Sequence, residues 1–129
     1  MHHGSCLCGA VRLSIDAPLQ DPIACHCRQC RRQSGHYFSA VAAPKSALTL
    51  QGQDNLAWYR ASQVASRGFC STCGATLFWR PDEGPVIMVA MAALDAPTGM
   101  QLSAHYWVDH KGDYYTIADG LPQHEGEPA

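Results

Sequence analysis

The chain has 129 residues, 47% of them hydrophobic, enough for one domain that buries about two thirds of its unfolded surface. Nine Lys and Arg against eleven Asp and Glu leave a formal charge of -2, which excludes the basic footprint of a nucleic-acid binder. No run approaches the ~18 apolar residues of a membrane span, and Gly4-Ser5-Cys6 follows the first Met too closely for a signal peptide, so a cytoplasmic chain with reduced thiols is expected.

Val11, Leu13 and Ile15 alternate with polar residues and predict a half-buried strand behind the pair Cys6-Leu7-Cys8, ended by Pro18 and Pro22. Cys25-His26-Cys27-Arg28-Gln29-Cys30 follows, and 28–33 predicts a short helical turn stopped by Ser34-Gly35. Residues 37–42 read as a strand ending before Pro44. Leu48 and Leu50 alternate with polar neighbours, and 52–55 reads as a hairpin turn into a strand over 56–60. The segment 64–69 runs into Cys70-Ser71-Thr72-Cys73, with Gly74 closing that knuckle and a strand leaving over 76–80. After a turn at 81–85, the apolar run 86–91 predicts a strand buried on both faces, a short helix being the other reading, and it serves equally as core or as a subunit contact. A last strand spans 104–108, followed by a polar turn at 109–113. The composition from Gln123 onward is that of a tail.

Seven cysteines cannot all pair as disulfides, and their spacing suits metal ligation better. Cys6, Cys8, Cys70 and Cys73 form a four-thiolate set able to close a tetrahedral zinc site at about 2.3 Å per sulfur. Gly4, Gly9, Gly68 and Gly74 flank it and would let the backbone turn its N–H groups toward sulfur. Cys25, Cys27 and Cys30 remain as a three-thiolate set. If 25–27 is extended, His26 points away from the two cysteines beside it and suits packing or a hydrogen bond behind the ligands. The fourth position then belongs to water, to an exogenous thiol, or to His36, His105 or His110 arriving from elsewhere. Arg28, Arg31 and Arg32 adjoin this set and either meet a substrate carboxylate or form a solvated helical face.

The motifs GSCLCGAV, CHCRQCRRQSG and RGFCSTCGATLFW, continuing through Ala93-Leu94-Asp95 and His105-Tyr106-Trp107-Val108 to Asp119-Gly120-Leu121-Pro122, resemble the glutathione-dependent formaldehyde-activating (GFA, or CENP-V/GFA) family. The resemblance implies a mainly β single domain of the β-tent type over 4–123, with 124–129 a flexible tail. It also implies two zinc ions per chain: a structural one on Cys6, Cys8, Cys70 and Cys73, and a catalytic one on Cys25, Cys27 and Cys30, where glutathione sulfur binds. The implied activity is that of a carbon–sulfur lyase on a glutathione or related thiol adduct.

Arg28 and Arg31 are the expected contacts for the carboxylates of that small-molecule thiol, with His36, His105 or Asp95 carrying the proton and Tyr59, Trp79 and Trp107 lining a pocket. The alternative is a non-catalytic zinc module that binds a protein partner, and a weaker third reading is a thiol redox or metal-sensing role. Neither a nucleic acid nor a membrane is an expected partner.

Overall fold

The structure, a computed structural model, describes residues 1–127. Strands β1 (His2–Ser5) and β2 (Arg12–Ile15) pair antiparallel, from His2 opposite Ile15 to Ser5 opposite Arg12, so the loop between them presents Cys6 and Cys8 at one end of the ribbon. Strand β5 (Leu48–Gln51) adds to the other side of β2 and completes a three-stranded sheet.

A seven-stranded sheet takes the remaining strands: β3 (Ile23–Cys25), β4 (Phe38–Pro44), β6 (Leu56–Arg60), β7 (Ala65–Cys70), β8 (Thr76–Pro81), β9 (Val86–Ala90) and β10 (Ala104–Tyr106). Their order is β10-β3-β4-β9-β8-β7-β6. The mainly β, single-domain architecture expected from sequence is thus present. The core joins the sheets: Val11, Leu13 and Ile15 from the small one bury with Phe38, Val41, Phe78, Ile87 and Val89 from the large one. Each such side chain contributes about 1.5–3 kcal/mol of transfer free energy.

Two expectations are corrected here. Residues 52–55 do not close a hairpin, because β5 pairs with β2 while β6 pairs with β7 in the other sheet. Gly52 instead makes the crossing at φ +76°, and a Cβ there would lie 1.8 Å from the carbonyl oxygen of Ala10. The final strand stops at Tyr106, since Trp107 takes the left-handed conformation at φ +59° and turns the chain aside. The run 86–91 is a central strand as far as Ala90, with Ile87 and Val89 buried but Val86 exposed. The segment with a tail's composition is hydrogen-bonded to β10 and its exit: the amide of His124 donates to the carbonyl of His105, and that of Trp107 to Gly126. Residues 128–129 lie outside the described part.

The parallel pairing of β10 with β3 sets Tyr106 beside Cys25, and the His26 amide donates to the Tyr106 carbonyl at 2.9 Å. A segment some eighty residues downstream therefore fixes the backbone of the central cysteine motif. On the opposite side of the sheet order, Gly68 of β7 packs under the Trp58 and Phe78 rings, where a Cβ would come within 2.9 Å of Trp58 Cζ3. Trp58 has little room to yield, since Arg80 covers its ring at 3.8 Å. Gly68→Ala is expected to lose about 1–3 kcal/mol through overpacking, measured by urea unfolding.

Candidate metal centres and active site

The first sulfur cluster forms where the two sheets meet. Cys6 and Cys8 leave β1, Cys70 ends β7, Cys73 closes the following turn, and one sulfur from each lies within 4.8 Å of the others. A sulfur tetrahedron around zinc at about 2.3 Å has edges of about 3.8 Å. The contacts Cys6–Cys8 at 3.7 Å and Cys8–Cys70 at 3.8 Å match that edge. Backbone N–H groups aim at the sulfurs: Val11 donates to Cys6 Sγ at 3.3 Å, and Thr72 and Cys73 to Cys70 Sγ at 3.4 Å. The backbone N–H of Ala75, then that of Cys8, pulls the Cys73 thiol down to about 6, toward the thiolate a metal requires. Gly9 and Gly74 supply the left-handed turns of the two loops, at φ +80° and +78°; Gly4 and Gly68 serve close backbone and ring packing instead.

The second cluster is built on a helix terminus. Helix α1 (Arg28–Ser34) is capped by Cys27, whose Sγ accepts from the Cys30 amide at 3.3 Å, and it ends at Gly35 in the left-handed region. A sulfur at that cap sits in the positive field of the exposed helix N–H groups. Cys25 reaches the same point from the end of β3, and the Cys25, Cys27 and Cys30 sulfurs converge within 4.8 Å. Hydrogen bonds from Cys25, and then from Cys30, push Cys27 down to about 2, while the same pairing pushes Cys25 far up. Three sulfurs this close cannot all ionise unless a cation joins them. Among the described residues no His, Asp or Glu completes this group.

Two buried features flank the triad. Arg67 on β7, only 4% exposed, donates to Gln29 Oε1, Gln33 Oε1 and Cys30 Sγ, the last at 3.4 Å. His26, fully buried between the two cysteines, meets the Tyr115 hydroxyl through Nδ1 at 2.5 Å and His105 Nδ1 through Nε2 at 2.9 Å. His105 Nε2 in turn meets Asp119 Oδ2 at 2.8 Å. Burial, reinforced by His105, pushes His26 down to about 4, and the Leu121 amide followed by His105 holds the Asp119 carboxyl below its usual range. The four groups thus form one continuous hydrogen-bonded line from Tyr115 through His26 and His105 to the Asp119 carboxylate.

A sequence profile of the glutathione-dependent formaldehyde-activating enzyme family matches residues 1–110. The chain belongs to this family. An uncharacterised lyase of Schizosaccharomyces pombe is 29% identical over 121 residues, covering 92% of this chain and 86% of its own length. A Halomonas elongata protein, provisionally named a glutathione-dependent formaldehyde-activating enzyme, is 27% identical over 125 residues, with 88% and 79% covered. The crystal structure of a Rhodobacter sphaeroides protein superposes with a TM-score of 0.62 at 31% identity, covering 73% of this chain and 88% of that one.

Several candidate residues of this GFA-family chain lie apart from the triad. His36 is exposed and packs on Tyr37 and Tyr115, His105 faces His26, and exposed His110 neighbours Asp109 and Trp107. Asp95 lines a cavity of about 700 Å³ between the end of α1, β4 and the four-cysteine cluster. Tyr59, Trp79 and Trp107 line neither that cavity nor a smaller one of about 360 Å³ on the three-stranded sheet; Tyr59 points to solvent. Tyr37 and Tyr115 pack against His26 of the cysteine motif, and Tyr114 packs in turn on Tyr115. Arg28 and Arg32 are exposed, whereas Arg31 is half-buried with an Nε that finds no hydrogen-bond partner among the described residues.

Sequence reading passed over Arg67 and Tyr115. Arg67 stands in strand phase with buried Ala65, a charged residue at a core position, and that was its only local signal. Tyr115 carries none, because its place follows from the chain's return over β10.

The two clusters are expected to separate on substitution. Cys73→Ser should unfold the domain, since structural zinc contributes on the order of 10 kcal/mol. Cys27→Ser should keep the far-ultraviolet circular dichroism of the parent while its metal content, by mass spectrometry, falls by about one ion per chain.

Proposed function

We propose that this GFA-family chain is a zinc-dependent carbon–sulfur lyase acting on an adduct of glutathione or a related thiol. The observation that carries the reading is the inequality of the two sulfur sets, four convergent thiols in one and three in the other. Four sulfurs saturate a tetrahedral ion, whereas three leave a position for a substrate atom. Zinc bound by Cys25, Cys27 and Cys30 would supply a Lewis acid able to hold a substrate sulfur as thiolate.

The chain's own residues do the rest. Half-buried Arg31, and exposed Arg28 on the first turn of α1, are the contacts proposed for a substrate carboxylate. In the lyase direction the C–S bond breaks with its electron pair remaining on sulfur, and the adduct's hydroxyl proton leaves as the carbonyl forms. In the proposed relay Tyr115 Oη takes that hydroxyl proton as it passes its own to His26 Nδ1, His26 passes its Nε2 proton to His105 Nδ1, and His105 passes its Nε2 proton to the Asp119 carboxylate. Free thiols at all seven cysteines suit a reducing compartment such as the cytoplasm. Among the described residues no helix is long and apolar enough to cross a membrane.

Titration with glutathione and a panel of its hydroxyalkyl adducts, followed by zinc-edge spectroscopy, tests the reading. A new sulfur ligand is the expected result; an unchanged edge with every thiol would favour a non-catalytic zinc module. Tyr115→Phe should lower kcat about a hundredfold with metal content unchanged, as steady-state assays and metal analysis would show.

A further inference from the structure

We infer that Arg67 is a positioning residue, the buried counter-ion that sets the net charge of the three-cysteine site and through it the retention of that site's metal. The inference rests on the triad binding zinc.

Arg67 is 4% exposed, and a guanidinium remains charged at any physiological pH. An isolated buried charge is costly, so it needs an anion as well as hydrogen-bond acceptors. Gln29 and Gln33, four residues apart on one face of α1, accept from three of its N–H groups. Both are neutral amides; they satisfy donors without offsetting charge. Among the described residues no carboxylate lies within ion-pair distance of Arg67. The one partner able to carry negative charge is Cys30 Sγ, which accepts at 3.4 Å.

Formal charges then close on the triad: three thiolates and a dication leave -1, and Arg67 brings the buried assembly to neutrality. Loss of the dication would leave thiolates and guanidinium unequally matched around the buried Cys30. Among the described residues the four-cysteine cluster has no such residue: the donors at its sulfurs are backbone amides. Arg67 should therefore govern one site and not the other. A fourth thiolate arriving with substrate would take the assembly to -1, where without Arg67 it would stand at -2.

The test follows metal release from the full-length, metal-loaded protein into a chromogenic chelator. The parent should release two ions per chain in two phases, the faster assigned to the triad by its absence in Cys27→Ser. Arg67→Gln should quicken the fast phase about tenfold or more, the usual effect of removing a group that hydrogen-bonds a metal ligand, and leave the slow phase alone. Arg67→Lys, which keeps the charge, should release within about threefold of the parent. An unchanged fast phase in Arg67→Gln, or equal quickening of both phases, would overturn the inference, because packing alone would loosen both sites. If Arg67→Gln does not fold, Arg67→Lys decides: parental retention upholds the counter-ion role, and a tenfold quicker fast phase ends it. Release of one ion by the parent would instead defeat the metal reading of the triad, and this inference with it.

Discussion

Thiolates brought together repel one another, and both sites of this domain are answers to that constraint. In the four-cysteine cluster the answer is structural. Two loops from two sheets deliver sulfurs at tetrahedral spacing, and backbone N–H groups spread the charge. The cluster lies where the three-stranded sheet meets the end of β7, so a metal there would staple the two layers that share the Val11, Phe78 and Val89 core. With ten short strands among the described residues, such a staple would add to a core of modest depth.

The triad answers the same repulsion differently. It uses a helix terminus at Cys27 and the Arg67 guanidinium beneath Cys30. Its ligands sit on an element pinned from two sides. Arg67 ties α1 to β7 through Gln29 and Gln33, and β10 holds the His26 backbone. Rigid support of this kind keeps ligand geometry when one ligand is exchangeable, as the proposed reaction requires.

Behind the triad, a hydrogen-bonded line runs from Tyr115 through His26, the buried imidazole between Cys25 and Cys27, and His105 to Asp119. It also joins the C-terminal segment to the site. Tyr115 and Asp119 come from a region of little regular secondary structure, yet they close the line from either end. The chain's return over β10, held by His124 and Gly126, is therefore part of the site's construction.

Cysteine spacing alone divided the seven sulfurs into four and three, because ligand geometry is local chemistry and pairs two or three residues apart can share a metal wherever they lie. Alternation of apolar and polar residues located β2, and the apolar run over 86–91 marked β9, with a short helix as its other reading. Pairing was beyond it: 52–55 carries the residues of a hairpin turn, but partner choice depends on which sheet has an unfilled edge. Only the tertiary structure set Arg67 under Cys30 and joined His26 to His105, 79 residues away, because burial and hydrogen-bond partnership arise when distant segments meet. Sequence determined what could bind a metal; the fold decided what surrounds it, since charge compensation is a property of three-dimensional neighbours.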